Sequence, residues 1–267
     1  MPNLRPVHQS VMKMMSERPV LTIAFSTLPS RIKSIEFPNP QEDREVMVLV
    51  QNQDESSYVF NARAAKLVEL KNRGVAKSRN AAIDRASGKY LLFGDDDITF
   101  DEGGIATAVT YFENNPDCSL ILARAIDESG KLRKNYVSSE MPIRLTNSAR
   151  VATYEMLVRV DAIRERKIRF DEDFGAGADN YLGDEYIFVA DALRAGLKGV
   201  HLPINLAVHP AESSGSRWGT KEDLQARAKV FKRVFGWKAP LYRAGFLIKT
   251  ENPFPGISKA LRFILGR

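Results

Sequence analysis

Three consecutive aspartates, Asp95, Asp96 and Asp97, directly follow the largely apolar segment 90–94. A buried strand in that segment would deliver all three carboxylates to one edge of a sheet. Like charges packed together repel each other unless a cation or a hydrogen-bond network offsets the cost. Mg2+ and Mn2+ prefer such oxygen ligands and take further ligands from water and substrate phosphates. The triplet therefore predicts a divalent-metal site for a nucleoside diphosphate, with capping of a helix predicted from 104 as the alternative.

A second acidic feature is the glycine-rich segment 170–185, which ends in Asp184 and Glu185 and opens a predicted helix. Adjacent helical residues point about 100° apart, so we expect only one of the two carboxylates to face a given pocket. The alternative is that Asp184 caps the helix and Glu185 interacts favourably with its dipole. His209 follows a predicted edge strand at 203–208, where it is either a metal ligand or an ordinary loop residue.

Apolar runs and helical patterns alternate along the first half of the chain. The predicted strands are 20–25, 45–50, 90–93 and 119–123, and the predicted helices are 61–72, 76–86 and 104–114. Such alternation indicates a largely parallel sheet covered by helices, with ligands at the carboxyl ends of the strands. Ser26, Thr27, Gln51 and Asn52 occupy that position together with the aspartate triplet, which predicts one shared pocket. The weaker pattern at 127–153 indicates loops or a hairpin beside it.

Composition and charge limit the classes of protein. A chain of 267 residues with 44% hydrophobic residues can bury a substantial core, and the single Cys118, interpreted as a core thiol, excludes an internal disulfide framework. Residues 217–267 carry twelve Lys or Arg against three Asp or Glu, so the basicity lies in the C-terminal tail. Apolar residues interleave with these cations, which indicates amphipathic helices that lie on an anionic membrane surface or pack on the protein's own core.

No stretch of roughly 18 to 20 apolar residues occurs, so we expect a cytoplasmic protein, or one held peripherally on the inner face of the membrane. We divide the chain into a domain at 1–216 and a basic helical extension at 217–267.

The motifs together resemble glycosyltransferase family 2. In segment 74–97 a glycine, a Ser-Arg-Asn helix, a second glycine and a strand precede the Asp-x-Asp motif, in the family's order. Segment 170–185 resembles the family's acceptor-side loop and Gly-acid-acid helix start. His209-Pro210 falls where members often place a late histidine. The resemblance covers roughly residues 20–212, and the long central match is specific.

The resemblance implies a GT-A fold, which is an α/β, Rossmann-like, mostly parallel sheet flanked by helices. It also implies metal-dependent transfer of a sugar, with inversion, from a nucleotide-diphosphate sugar to a hydroxyl acceptor. Carried over by position, the metal ligands are Asp95, Asp97 and His209, with Mn2+ or Mg2+ as the cofactor. The catalytic base is Glu185, with Asp184 as the second candidate. The donor-binding residues are Ser26, Thr27, Arg31, Asn52, Arg79, Asn80, Asp95 and Asp96.

Two departures bear on the donor. Members commonly place an aspartate after the second strand to read the nucleobase, whereas this chain has Gln51, Asn52, Gln53 and Asp54. The first loop, 26–31, also differs from the family's frequent Pro-Thr-Tyr-Asn. Uridine remains the favoured base, and the expected acceptor is a carbohydrate or a lipid-linked sugar in bacterial polysaccharide or glycolipid assembly.

Two other classes compete with this interpretation. A nucleotidyltransferase usually has a glycine-rich phosphate loop near its first strand, and segment 25–31 contains no glycine. A non-catalytic adaptor would use the basic tail for a membrane surface or a nucleic acid. We expect no nucleic-acid partner.

Overall fold

The computed structural model describes residues 18–210, 218–250 and 253–267. Within these ranges a single sheet of nine strands forms the centre of the molecule. The strands are β1 (Leu21–Thr27), β2 (Arg44–Gln51), β3 (Ala65–Leu70), β4 (Tyr90–Asp95), β5 (Thr99–Phe100), β6 (Cys118–Ile126), β7 (Met141–Pro142), β8 (Met156–Arg159) and β9 (Lys198–Val208).

Helices of the described residues cover the sheet and follow it. They are α1 (Val75–Arg85), α2 (Glu102–Asn114), α3 (Val160–Glu165), α4 (Asp184–Arg194), α5 (Lys221–Phe235), α6 (Ala239–Lys249) and α7 (Ile257–Leu265). Short 3-10 helices occur at Pro29–Ser34, Thr153–Glu155 and Gly236–Lys238. The predicted strands at 20–25, 45–50, 90–93 and 119–123 and the predicted helices at 76–86 and 104–114 are therefore confirmed, within a few residues at their ends.

The sheet order is β3-β2-β1-β4-β8-β6-β9-β5, and β7 pairs with β9. Strands β1 to β4 run parallel, and β6 and β9 are parallel to each other. The short β8 is antiparallel to both β4 and β6 and separates them. Every residue of β1 is buried, as expected for a parallel strand that has helices on both faces. The prediction of a largely parallel sheet is confirmed.

The helix predicted at 61–72 is wrong, because its centre forms the edge strand β3. Residues of β3 pair with β2 in parallel register from Val46 with Ala65 to Gln51 with Leu70. The segment is rich in helix-forming Ala, Lys, Leu and Glu, which explains the prediction. Without β3, the backbone N–H and C=O groups of β2 on this side would have no strand to pair with. Pairing with β2 therefore overrides the helical preference of the segment.

The strand predicted at 203–208 is present, but the prediction that it lies at an edge of the sheet is wrong. It belongs to the eleven-residue β9, which pairs with β6 on one side and with β5 and β7 on the other. The short strands β5 and β7 have no pattern of their own in the sequence, so nothing indicated that β9 would be covered.

Two hydrophobic layers fill the space on either side of the sheet. One contains Ile83 of α1, Ile163 of α3 and Phe188 of α4, and the other contains Ile105 and Phe112 of α2. Cys118 lies buried, as expected. Because the layers hold β1, β2 and β4 between them, the carboxyl ends of these strands open at one rigid edge.

The C-terminal helices pack on the protein. Val230 and Val234 of α5 contact Tyr186, Ile187 and Ala190 of α4. Helices α6 and α7 pack in turn on α5, around Phe231, Ala239 and Phe263. The division of the chain at 216 and 217 stays a prediction. None of the helices in the described residues is long and apolar enough to cross a membrane.

Candidate active site

The aspartate triplet lies at the carboxyl end of β4, beside the end of β1, where Ser26 pairs with Asp95 in the sheet register. Asp96 points inward, and its side chain is only 8% exposed. It accepts a hydrogen bond of 2.7 Å from the Thr27 hydroxyl and pairs with Arg31 at 2.5 Å. Burial raises the pKa of Asp96 against the opposing effects of these two partners. Asp96 therefore serves to join the ends of β1 and β4.

Asp95 and Asp97 are the outer carboxylates, and their side chains are 36% and 37% exposed. Each has an arginine neighbour: Arg79 lies 3.3 Å from Asp95, and Arg31 lies 2.9 Å from Asp97. Two accessible carboxylates on one short turn are an oxygen donor set of the kind that Mg2+ or Mn2+ takes together with phosphate oxygens and water. The residues therefore fit the metal that the sequence motif implies.

Arg79 on α1 joins the aspartate triplet to the second acidic motif. Its buried guanidinium lies 2.5 Å from Asp184, 3.5 Å from Glu185 and 3.3 Å from Asp95. The ring of Phe170 lies 5.6 Å from the guanidinium carbon. Burial would lower the pKa of Arg79, but the three carboxylates raise it above its ordinary value. One fixed cation thus joins Asp95 to the pair Asp184 and Glu185, which lies far from it in the sequence.

Asp184 and Glu185 begin helix α4, and their environments differ. The side chain of Asp184 is 3% exposed, whereas that of Glu185 is 22% exposed. Gly183, in the left-handed region with φ of 94°, holds the N-cap position, so Asp184 is the first helical residue rather than the cap. Contrary to the expectation from the helical angle, both carboxylates reach the same guanidinium. Only Glu185 remains partly open.

Glu185 is the acid whose proton affinity is most changed. Burial raises the pKa of Glu185 well above the usual glutamate range, and the neighbouring charge of Asp184 raises it further, while Arg79 opposes both effects. A carboxylate with a raised pKa and partial access to solvent is suited to accept a proton near neutral pH.

The loop before α4 needs glycine at one contact with this cluster. Gly175 has φ of 95°, and a Cβ there would lie 2.7 Å from the carboxyl carbon of Asp184. The close approach and the positive φ explain the glycine at position 175.

Several predicted donor-binding residues use their side chains within the protein. The hydroxyl of Ser26 lies 2.8 Å from that of Ser78. Asn80 clamps the segment around Phe170, accepting from its N–H at 2.8 Å and donating to its carbonyl at 3.0 Å. Asn52 closes its own loop through two hydrogen bonds to the backbone of Ser56. Ser26 and Thr27 thus lie beside the triplet, while Asn52 and Asn80 act in these contacts as structural residues. The shared donor pocket stays a prediction.

His209 follows the end of β9, where its Nδ1 is 2.8 Å from the Pro210 carbonyl oxygen and its ring is tilted against that of Tyr154, with 5.1 Å between the ring centroids. Among the described residues, no group of three or more His, Cys, Asp or Glu side chains is arranged to hold a metal ion. A role of His209 as third ligand stays a prediction.

Sequence reasoning missed Tyr154 and underestimated Gln51. Burial raises the pKa of Tyr154, and the charges of Glu155, Asp95 and Glu185 add to the effect, so the hydroxyl lies within electrostatic range of both acidic motifs. Gln51 accepts a hydrogen bond of 2.9 Å from the N–H of Gly74 and so ties β2 to the start of α1. Neither residue belongs to a recognisable motif, and only the fold brings them to the site.

Comparison with solved structures supports the fold. A structure of S. aureus TarS 1-349 superposes with a TM-score of 0.55 and 12% identity, covering 92% of this chain and 70% of that chain. TarS 1-349 in complex with UDP-GlcNAc gives 0.56 and 14%, covering 92% and 79%. Mannosyltransferase PcManGT from Pyrobaculum calidifontis, in complex with GDP-Man and Mn2+, gives 0.55 and 15%, covering 94% and 70%. At such identities the likeness concerns the fold, which is GT-A as expected.

The sequence comparison gives the family. No curated protein sequence matched the chain. The family model described as glycosyl transferase family 2 matches residues 27–172, which include the aspartate triplet, Arg79 and the segment around Phe170. This match covers more than half of the chain, and it favours a transferase over the adaptor and the nucleotidyltransferase. The protein is therefore a glycosyltransferase that belongs to glycosyl transferase family 2.

Proposed function

We propose that the protein transfers a sugar from a nucleotide-diphosphate sugar to a hydroxyl acceptor, with inversion at the anomeric carbon and with Mn2+ or Mg2+ as cofactor. The observation that carries the proposal is the convergence of Asp95, Asp184 and Glu185 on the guanidinium of Arg79, at 3.3, 2.5 and 3.5 Å. This arrangement supports a metal-binding role for Asp95 and the role of base for Glu185, which lie at different terminal nitrogens of one fixed cation.

The donor side is built from the triplet. Asp97 and Asp95 are the accessible carboxylates and would hold the metal, which when bound offsets the charge that develops on the departing diphosphate. Arg31 is exposed and close to Asp97, so its guanidinium can donate to donor phosphates. TarS and PcManGT are similar folds that hold UDP-GlcNAc and GDP-Man, which supports a nucleotide-sugar donor here. We favour a uridine nucleotide.

The acceptor side is built from α4. The carboxylate of Glu185 accepts the proton of the acceptor hydroxyl while the hydroxyl oxygen bonds to the anomeric carbon. The bond between that carbon and the diphosphate oxygen breaks, and the nucleoside diphosphate leaves with its electron pair. A single in-line displacement inverts the anomeric configuration, by the geometry that governs inverting glycosidases. Asp184 ranks second as a candidate for the base, because it is buried and holds Arg79 in place.

The proposal for the acceptor and the cellular role is based on the C-terminal helices. Helix α7 exposes Ile257, Leu261 and Leu265 on one side, and Arg262 and Arg267 lie beside them. An apolar stripe with cationic neighbours fits an anionic membrane surface. We therefore favour a carbohydrate or lipid-linked acceptor in bacterial polysaccharide or glycolipid assembly.

The test separates the two sides of the site. Calorimetric titration with UDP and with GDP, each with and without Mn2+, is run on the unmodified protein, Asp97→Ala and Glu185→Gln. We expect Mn2+-dependent nucleotide binding that Asp97→Ala abolishes and Glu185→Gln keeps. Hydrolysis and transfer of UDP-sugars should be lost in both variants.

Two results would overturn parts of the proposal. Nucleotide binding that Asp97→Ala and the removal of Mn2+ leave unchanged would remove the metal from the mechanism. Turnover retained in Glu185→Gln would transfer the role of the base to Asp184.

A further inference from the structure

A cavity of about 700 Å³ lies between the sheet and the C-terminal helices, outside the aspartate triplet. Strands β6 and β9 and the loop 134–151 form one wall, and α5 and α6 form the other. Tyr186, which follows Glu185 on α4, lines the cavity, as does Glu155, which follows Tyr154. The cavity therefore adjoins two elements that carry residues of the candidate site, the start of α4 and the 3-10 helix at Thr153–Glu155.

The helical wall of the cavity is apolar and largely aromatic. It presents Phe231 and Phe235 of α5 and Leu241, Tyr242 and Phe246 of α6. Phe235 stacks on Tyr242 at 3.7 Å, and Phe231 lies 5.4 Å from Phe246. Leu241 is exposed on α6, and Ile248 on the same helix is exposed as well. The apolar surface thus continues from the cavity to the outside of the molecule.

The opposite wall is cationic, with Arg124, Lys134 and Arg150. The helices add Arg227 of α5 and Lys249 of α6, and Glu155 is the single carboxylate of the lining. Lys134 already pairs with Glu155 at 2.6 Å, and Arg227 pairs with Asp223 at 2.9 Å. Within the described residues Arg124 has no acidic partner, since its terminal nitrogen donates to the Val137 carbonyl and its buried Nε has no partner. The excess of positive charge favours an anionic ligand.

We propose that this cavity binds the lipid phosphate of the acceptor. The phosphate lies at the cationic wall around Arg124, and the hydrocarbon chain lies along the aromatic wall of α5 and α6 and leaves past Leu241. A sugar without a lipid would leave this apolar wall in contact with water, and a neutral lipid would offer no charge to Arg124. The inference rests on the proposed function, because it specifies the acceptor class of the same transferase.

The test measures lipid binding without the transfer reaction. Calorimetry uses farnesyl phosphate below its micelle concentration, with farnesol and glycerol 3-phosphate as probes that lack either the charge or the chain. We expect farnesyl phosphate to bind at least about tenfold more tightly than either, since each lacks one of the two recognised groups. Arg124→Gln should weaken farnesyl phosphate by about tenfold and leave farnesol unchanged.

Matched variants test each wall. Leu241→Asn should weaken both farnesyl phosphate and farnesol by about fivefold, because it removes apolar contact with the chain. Arg85→Gln on the exposed side of α1 and Val59→Asn in an exposed loop are the controls for charge and for apolar surface. Both controls should bind as the unmodified protein does. If Arg124→Gln does not fold, Lys249→Gln at the exposed end of α6 serves in its place.

Three outcomes would overturn the inference. Equal affinity for glycerol 3-phosphate would mean that the cavity recognises a soluble phosphate. Equal affinity for farnesol would mean that the charge is not recognised. Unchanged affinity in Arg124→Gln and Leu241→Asn would place the lipid elsewhere. Titration of the same samples with UDP and Mn2+ reports the donor side separately, so the failure of this inference and the failure of the proposed function can be distinguished.

Discussion

At the scale of single residues, Arg79 is the most consequential side chain of the site. A buried guanidinium is stable only because Asp184, Glu185 and Asp95 surround it, and these carboxylates are in turn held by it. The family's Ser-Arg-Asn helix thus has three separate tasks here. Ser78 contacts β1, Arg79 collects the acids, and Asn80 fixes the segment at Phe170.

Replacement of Arg79 should be strongly destabilising. We expect Arg79→Met to lower the free energy of unfolding by about 3–5 kcal/mol at neutral pH, because it leaves buried carboxylates without a counter-charge. The loss should shrink as the pH falls, because Glu185, whose pKa burial raises, becomes protonated and no longer needs a counter-charge. Urea unfolding of both proteins at several pH values measures this.

The control for this variant is Arg85→Met, which changes an exposed arginine at the end of the same helix. It should change stability by no more than about 0.5 kcal/mol. Comparable losses in the two variants would show that Arg79 is not an essential ion-pair centre.

The raised pKa of Glu185 predicts the pH dependence of transfer. Because the base must be unprotonated, kcat/KM should rise with pH through the pKa of Glu185, above the ordinary glutamate value of about 4.3. Glu185→Gln should lower kcat by about 10²- to 10⁴-fold. Rate measurements across the pH range test both. An acid limb at the ordinary glutamate pKa would contradict the assignment.

Glu185 also affects stability, which should fall with rising pH where the rate of transfer rises. Its folded-state pKa is raised by burial, so its charge costs folding free energy as the pH rises through that value. We expect Glu185→Gln to be at least as stable as the unmodified protein at alkaline pH, with no such gain in acid. Thermal melts at acid and alkaline pH measure the difference, and a loss of stability in alkali would contradict it.

At the scale of elements, the start of α4 is where the C-terminal helices meet the chemistry. Gly183 has φ of 94°, and a Cβ there would lie 2.4 Å from Val230 on α5. Helix α5 therefore presses directly on the turn that sets the direction of Asp184 and Glu185. Helix α5, which lies outside the residues that the family model matches, therefore supports the candidate site by this contact.

Gly183→Ala should damage both stability and catalysis. Left-handed backbone costs an alanine about 1–2 kcal/mol, and overpacking against Val230 adds about 1–3 kcal/mol. Displacement of the first turn of α4 should lower kcat as well. Urea unfolding and steady-state kinetics measure the two effects.

Gly196 supplies the matched control at the other end of α4. It has φ of 84°, and a Cβ there would meet no atom within 4 Å. Gly196→Ala should therefore cost only the backbone strain of about 1–2 kcal/mol and leave kcat unchanged. Addition of Val230→Ala to Gly183→Ala should recover part of the loss. If the two glycine variants behave alike, the contact with Val230 has no effect.

At the scale of the whole molecule, the C-terminal helices combine a packed side with an exposed one. Ala260 and Phe263 of α7 are buried against the protein, whereas Ile257, Leu261 and Leu265 are exposed. Sequence reasoning left open whether these helices pack on the core or bind a membrane. The packed side is now established, and the exposed side supports the membrane proposal.

Binding to vesicles tests that proposal. We expect the protein to sediment with vesicles that contain anionic lipid, and Leu261→Asp to release it. Arg262→Gln should weaken binding by about fivefold, because one cation near an anionic surface contributes about 1 kcal/mol. High salt should weaken it further. Val59→Asp, at an exposed position in a loop, is the control, and equal sedimentation of Leu261→Asp and the control would contradict the proposal.

How far the sequence predicts the molecule differs between its parts. The strands β1, β2, β4 and β6 were predictable because a fully buried parallel strand is written as a continuous apolar run. The strand β3 was not, because an edge strand of helix-forming residues is specified by its neighbour β2 rather than by its own pattern. The strands β5, β7 and β8 were not predicted either, because they are too short to show a periodic pattern of apolar and polar residues.

The sequence alone determined the chemistry that is available: the family motif, the aspartate triplet, the Gly-acid-acid turn and the basic tail, all of which are local patterns. Only the tertiary structure decided how these groups are used. It turned Asp96 inward and left Asp95 and Asp97 accessible, it brought Arg79 between the two acidic motifs, and it set α5 against Gly183. Each depends on contacts between residues far apart in the chain, and burial and distance across such contacts are not encoded in any local pattern of residue types.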